Sequence, residues 1–333
     1  MFALIEAIKY HKAKKIKGDP AGTPVQRVIR INNVGAHCMC PWDKKKGFTK
    51  MEFLHNNMWV VLVISAAFFN ALWSSLTKNK DESISAFDFT VLFRLYTVFM
   101  IAPFALYSMK WSYFKEPMFI MMAIGYAVAE GLRTIFMVKG AEEDYYATYA
   151  FVNMSPVIPL LFAPFISDEK LTVFIIAGTM VTILGGFVFY RMGKFSKYGM
   201  AIAVIGGIGI IISKEGVKCS DGISFPFVSF IFSVLIFSGA KYLKTGHNVL
   251  AGTVKNLKNR RIMMPSFFST IATMTYFTSL NMAPMTKVAP LMRFNLLFGF
   301  LLSYFMLKEI TDWKSKLFGG CLIIVGGVMV YAG

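Results

Sequence analysis

Residues 286–331 read TKVAPLMRFNLLFGFLLSYFMLKEITDWKSKLFGGCLIIVGGVMVY, from Thr286 to Tyr331: an apolar helix with cations inside it, a short charged turn, and a second apolar helix paced by glycines. At about 1.5 Å per residue the first helix, about Ala283 to Leu307, is long enough to cross a hydrocarbon layer of roughly 30 Å, which sets Arg293 near mid-depth. A charge at that depth needs a reason. The stretch has an echo from Tyr146 to Tyr190, YATYAFVNMSPVIPLLFAPFISDEKLTVFIIAGTMVTILGGFVFY. Glu169 in its turn matches Glu309, and after a one-residue offset Gly178, Gly185, Gly186 and Tyr190 fall on Gly319, Gly326, Gly327 and Tyr331. The shared order of helix, acid and glycine-paced helix reads as an internal duplication.

Working outward, the chain of 333 residues is 56% hydrophobic and 16% charged, too apolar for an ordinary soluble protein. Its apolar runs are longer than core helices need, which makes it a polytopic membrane protein. The net charge of +17 does not imply nucleic acid, because eleven of the 35 Lys and Arg lie in the first 50 residues and most others in short loops. Membrane lipid is the expected partner of those cations. Cys38, Cys40, Cys219 and Cys321, with His37, make neither a disulfide framework nor a complete zinc site, so no metal or cofactor is expected.

Residues 1–56 form a basic tail broken by Gly18, Pro20, Gly22, Pro24 and Pro41, expected to be disordered or surface-bound. The tail lacks the order of a signal peptide and has no counterpart in the duplication; residues 1–50 are expected to be dispensable, with Met51 as an alternative start. Beyond it ten spans are expected, near 57–76, 86–108, 117–138, 145–166, 171–190, 198–213, 223–240, 262–282, 283–307 and 315–332. The expected fold is thus all-α, ten transmembrane helices in two inverted five-helix repeats, 57–190 and 198–333. Gly178 and Gly185, like Gly319 and Gly326, are seven residues apart and share one helix face, where small residues let backbones approach. The connection from Lys241 to Arg261, with Leu250, Val254 and Leu257 at helical spacing, reads as a basic amphipathic helix on the membrane surface.

Two halves of five spans, each closed by a glutamate turn (EKLT, KEITD) and a glycine-paced helix, resemble the drug/metabolite transporter superfamily, in particular its EamA-like members. The resemblance covers about residues 57–333. It extends to a lysine ending the first span of each half (WSSLTK with Lys78, IIISK with Lys214) and to Arg94 in the second span; KEITD departs from it by one extra residue before Gly319. It implies an alternating-access carrier in the inner cell membrane, with a central substrate site between the halves. It also implies cytoplasmic termini, whereas the Lys and Arg outside the spans, once the tail is set aside, favour termini on the opposite side.

The residues that could line such a site come from helical spacing. Tyr146, Tyr149 and Asn153 lie at i, i+3 and i+7, and an offset of 140 sets them on Thr286, Ala289 and Arg293, so two matched helices turn polar faces inward. Pro156 and Pro290 lie beside these stripes and free backbone carbonyls there. In the third span Tyr126, Glu130 and Arg133 share a face, and the offset maps them onto Ser266, Thr270 and Thr273. Glu130 is the one acid deep in any span, expected to pair with Arg133 or Arg293 and to couple transport to protons. Asn70, Trp73 and Arg94 are further candidates, Arg94 with Asp88 as its expected partner, while Lys287 can snorkel to the interface.

The function these features support is transport of a small polar metabolite with an anionic group, such as an amino acid or organic acid. The alternatives are an exporter of cationic drugs and an antiporter of nucleotide sugars or phosphate esters. An enzyme is disfavoured because His11, His37, His55 and His247 all lie outside the spans, and a channel because a duplication with mixed interior charges suits a rocking carrier. Nothing in the residues fixes an oligomeric state.

Overall fold

The computed structural model describes residues 50–77, 85–191, 194–246, 260–302, 304 and 312–333. Two units divide the chain, Met1–Asn57 and Met58–Gly333. The tail to residue 49, Lys78, Glu309 and most of the basic connection 241–261 lie outside the described residues.

The described residues are mostly helical, without a strand. In chain order the helices are α1 (Lys50–Thr77), α2 (Ala86–Ser108), α3 (Pro117–Val152), α4 (Val157–Ile166), α5 (Val173–Phe189), α6 (Lys197–Lys218), α7 (Ser224–Thr245), α8 (Arg260–Met282), α9 (Met285–Leu291), α10 (Phe294–Leu302) and α11 (Trp313–Ala332). Local chemistry sets many of the boundaries. Ser85, Thr172 and Ser196 cap α2, α5 and α6 by accepting a hydrogen bond from the amide three residues on. Pro117 opens α3 at a position where its missing N–H is no loss. Asp144 breaks α3 with extended backbone (φ −157°, ψ 102°), and its carboxylate accepts from the Ala147 amide 3.0 Å away, capping the segment that follows.

Among the described residues eight helical segments are long and apolar enough to cross a membrane, and Val173–Phe189 is a shorter apolar helix. Arg260–Met282 occupies the place of the expected eighth span but carries many hydroxyls. Ser266, Thr270, Thr275 and Thr278 each donate to the carbonyl four residues back, at 2.7–2.8 Å, which satisfies them within their own helix. The expected ten apolar spans therefore become eight by length and composition, plus these two helices. The expected ninth span is itself discontinuous, divided into α9 and α10 at Met292 and Arg293.

The inverted character of the duplication is visible in how the helices pack. α5 lies along α11, the corresponding last helix of the other half, and α2 lies against its counterpart α7. The contact of α3 with α7 is mirrored by that of α8 with α2. Along the α5–α11 seam a methyl added to Gly178 would come within 2.6 Å of the Gly326 carbonyl oxygen, and one on Gly319 within 2.6 Å of that of Gly185. The pairing is crossed: Gly178 meets Gly326 and Gly185 meets Gly319, although the sequence equates Gly178 with Gly319. Crossed pairing is what two equivalent helices make when they run antiparallel about a two-fold axis. The outward faces carry Phe174, Leu184, Phe318 and Val328, exposed apolar side chains suited to lipid.

Candidate substrate cavity

Two interruptions in the helices define the centre. After Val152 the chain leaves α3 through a turn, Asn153–Pro156, and re-enters helix as α4; after Leu291 it leaves α9 through Met292–Arg293 and re-enters as α10. Pro156 stands immediately before α4 and Pro290 inside α9, so both prolines mark the breaks. At each break the backbone switches to tighter i→i−3 bonds. The amides of Asn153, Met154 and Ser155 donate to Ala150, Phe151 and Val152, and those of Arg293, Asn295 and Leu296 to Pro290, Met292 and Arg293. Discontinuous helices facing each other expose the turn side chains to a common space.

That space is a cavity of about 160 Å³ walled by α1, α2, α3, α6, α7, α8 and the two breaks. Among the residues singled out by sequence, Asn70, Trp73, Arg94, Tyr126, Glu130, Arg133, Tyr149, Asn153, Thr273 and Arg293 line it. The Tyr146 side chain lies outside the described residues. Two expectations are corrected. Thr286 is not on the cavity: its hydroxyl and amide, with the Met285 amide, donate to the Glu169 carboxylate at 2.8–3.1 Å, so Thr286 belongs to a cap at the start of α9. Thr270 also faces away, its hydroxyl bonded to the Ser266 carbonyl and directed at the Met100 sulfur.

The charges pair differently from expectation. Glu130 is only 8% exposed and holds two guanidiniums: Arg133 from one turn along α3, at 2.6 and 2.7 Å, and Arg94 from α2, at 2.6 Å. Arg94, expected to pair with Asp88, instead adds a bond to Thr134 at 3.0 Å and lies 4.5 Å from the centre of the Phe230 ring. Asp88 pairs with Lys241 of α7 and is bonded by the Ser85 hydroxyl. A cation in hydrocarbon costs at least about 2.5 kcal/mol, and carboxylate, hydroxyl and ring face together offset that for Arg94.

Arg293, named as a possible partner of Glu130, instead donates to the Ser155 hydroxyl across the two breaks. Among the described residues it forms no ion pair with a carboxylate, and its Nε is buried without a hydrogen-bond partner, as is Arg94 Nε. Asn153 turns its amide nitrogen onto its own helix end, to the Tyr149 carbonyl at 3.0 Å, and is backed by Gly186, where a methyl would come within 2.8 Å of Asn153 Cγ. Trp73 donates to Asn70 at 2.7 Å and packs its ring on Phe93, 5.2 Å between centres. Three guanidiniums and one carboxylate thus face one small space with aromatic walls.

Ser155, Thr134, Tyr276 and Asn295 line the cavity without having been singled out from the sequence. A signal for one of them was present: Ser269, Thr273 and Tyr276 stand at i, i+4 and i+7 on α8, a polar stripe shifted from the one that the offset of 140 selects. Ser155 and Asn295 are related by the same offset as Asn153 and Arg293, Ser155 standing inside the first helix break and Asn295 just past the second.

Residues 196–332 match the EamA-like transporter family, so the second half of the chain carries an EamA domain of the drug/metabolite transporter kind. No curated protein matches the chain. One solved structure, described only as a crystal structure of a protein, superposes with a TM-score of 0.63 at 14% identity, over 84% of this chain and 98% of its own. That likeness concerns the fold alone.

Proposed function

We propose that the protein carries a small organic anion across the membrane by alternating access about the two helix breaks. The observation that supports this reading is the cationic excess of the cavity, and within it Arg293, held by a hydroxyl and not by a carboxylate. A guanidinium kept at mid-depth with a neutral partner has coordination to spare for a carboxylate or phosphate, which it binds in a planar, two-pronged manner. Export of cationic drugs is opposed by the same charge. A cavity of about 160 Å³ is small beside the roughly 300–1,000 Å³ of pockets for drug-sized ligands, which disfavours nucleotide sugars.

Glu130 is the acid of the cavity and the proposed coupling group. Around it stand Arg94, Arg133, Tyr126 and Tyr276. Arg94 comes from α2 and Glu130 from α3, so a rearrangement that separates those helices exposes the carboxylate to a proton. The setting is an inner cell membrane with cytoplasmic termini.

The test is counterflow of labelled organic and amino acids by purified protein in liposomes. Arg293→Gln is expected to lower anion uptake by about 100-fold, the loss of one charge-assisted contact, while leaving the unfolding temperature nearly unchanged. Uptake by Arg293→Gln equal to that of the unaltered protein, or ohmic current without counterflow, would refute the reading.

A further inference from the structure

We propose that the occupant of the cavity is a dianion held between two cationic poles, and that Gly206 of α6 sets the length it accepts. The inference rests on the reading of the cavity as the substrate site and deepens it. Its first support is charge. Arg94, Arg133 and Arg293 against Glu130 leave an excess of two positive charges on the lining. A monoanion leaves one of them uncompensated among Phe93, Phe230 and Phe277, and a dianion leaves none.

The second support is that the excess is divided. Arg94 and Arg133 share Glu130 on the α2–α3 side, whereas Arg293 sits at the α9–α10 break on Ser155. At each pole one guanidinium nitrogen, Arg94 Nε and Arg293 Nε, is buried without a hydrogen-bond partner, and Arg94 as a residue is only 3% exposed. Buried donors left open on both sides of one cavity call for acceptors at both ends of the occupant.

The third support is Gly206, which stands between the poles. A methyl built on it would lie 3.6 Å from Arg133 Cδ and 3.6 Å from Ser155 Cβ, ordinary contact with a side chain of each pole. Gly209, one turn along on the same cavity wall, has the Tyr126 ring edge as its nearest neighbour, at 3.9 Å. Both positions have room for alanine, which a helix prefers to glycine. Gly207 does not, because a methyl there would press within 2.6 Å of Ile158 Cγ1 and 2.8 Å of the Ser155 carbonyl oxygen. Close packing of α6 on α4 accounts for Gly207. What Gly206 leaves free is cavity volume along the line joining the poles.

The experiment measures thermal stabilisation of the purified full-length protein, and counterflow in liposomes, with malonate, succinate, glutarate, adipate, glycerol phosphate, butyrate and pentanoate as probes. Ligands that bind the folded state raise its unfolding temperature in step with their affinity. Succinate or glutarate is expected to bind at least about tenfold more tightly than butyrate and pentanoate, which lack the second anionic end, and than glycerol phosphate, whose two charges sit on one end. Gly206→Ala is expected to unfold at or slightly above the temperature of the unaltered protein when empty, and to move the preferred dicarboxylate to a shorter chain. Gly206→Ser provides the same length readout if the alanine variant is poorly expressed. Equal binding of monocarboxylates and dicarboxylates overturns the dianion while leaving an anion carrier standing. An unchanged length preference in both variants overturns the role of Gly206. Binding of organic cations and of no anion overturns the underlying reading as well.

Discussion

The seam between α5 and α11 and the central cavity come from the same duplicated sequence, yet the seam keeps the duplication and the cavity departs from it. In the seam each glycine contacts a glycine of the other copy through backbone atoms, at 2.6–2.8 Å from a methyl's would-be position. In the cavity equivalent positions carry different chemistry: Asn153 answers Arg293, Ser155 answers Asn295, and Glu130 and Arg133 answer Thr270 and Thr273. Backbone contact about a two-fold axis constrains both copies alike, since a side chain added to either strikes the other. A bound molecule without two-fold symmetry makes no such demand, and the polar groups around it are free to differ.

The comparison is broken most forcefully at the seam. Gly326→Leu would drive a side chain into the Gly178 carbonyl and into Thr182, with helix backbone on the opposing side unable to yield. Overpacking of this kind is expected to destabilise by more than about 3 kcal/mol, the upper end for inserted core volume. Loss of a monodisperse peak in detergent, together with low yield, is the measurement. A well-behaved Gly326→Leu protein would show that the seam opens more readily than its backbone contacts suggest.

At the cavity the largest effect on stability is expected from Glu130→Gln, which leaves the buried Arg94 and its neighbour Arg133 without their shared carboxylate. Breaking a buried pair from one side costs about 3 kcal/mol, and the added change Arg94→Met is expected to restore part of it by removing the stranded cation. Thermal unfolding of the single and double variants checks both statements. Transport by the folded fraction carries a separate expectation: exchange at equal concentrations survives Glu130→Gln, and accumulation under a pH gradient does not.

A smaller effect belongs to the rim between the two regions. Glu169 receives the Met285 and Thr286 amides and the Thr286 hydroxyl, closing the start of α9 from the loop before α5. Glu169→Ala is expected to cost about 1–2 kcal/mol, the worth of a charged cap at a helix N-terminus, with Glu169→Gln milder because it retains an acceptor. The glutamate was legible as a repeated feature of each half, but its partner was not. A carboxylate in a turn gives no hint of which distant amides it will reach.

The same limit explains what else was and was not readable. Apolar runs and glycine spacing report helices and their packing faces, so the described residues carry helix in each expected span, eight of the segments being long and apolar enough to cross a membrane, and the seam falls where the glycines indicated. Arg133 was found as a partner of Glu130 because i, i+3 spacing on one helix is a local relation. Arg94 lies 36 residues away on another helix, where only tertiary packing brings it within 2.6 Å of the carboxylate. The helix breaks were half legible, since Pro156 and Pro290 predict kinks, whereas full interruption with i→i−3 bonding turns Ser155 and Asn295 inward, which no spacing argument contains.

The finest test separates two threonines that the repeat treats as equals. Thr270 and Thr273 both follow from Glu130 and Arg133 by an offset of 140, yet only Thr273 lines the cavity, while Thr270 donates to the Ser266 carbonyl and faces Met100. The offset equates backbone positions, and three residues on an α-helix turn a side chain by about 300°, so one of the pair can line a cavity while the other packs between helices. Thr270→Val removes a hydroxyl that is bonded within its own helix and reaches beyond it to the weakly accepting Met100 sulfur, and is expected to change stability by less than about 0.5 kcal/mol and transport not at all. Thr273→Val removes a polar group from the cavity wall and is expected to raise the concentration needed for half-maximal uptake by about 3–10-fold, the worth of one hydrogen bond. Equal effects of the two substitutions on uptake would mean that α8 turns differently about its axis while substrate is bound, and the repeat offset would then be the better guide to the working site.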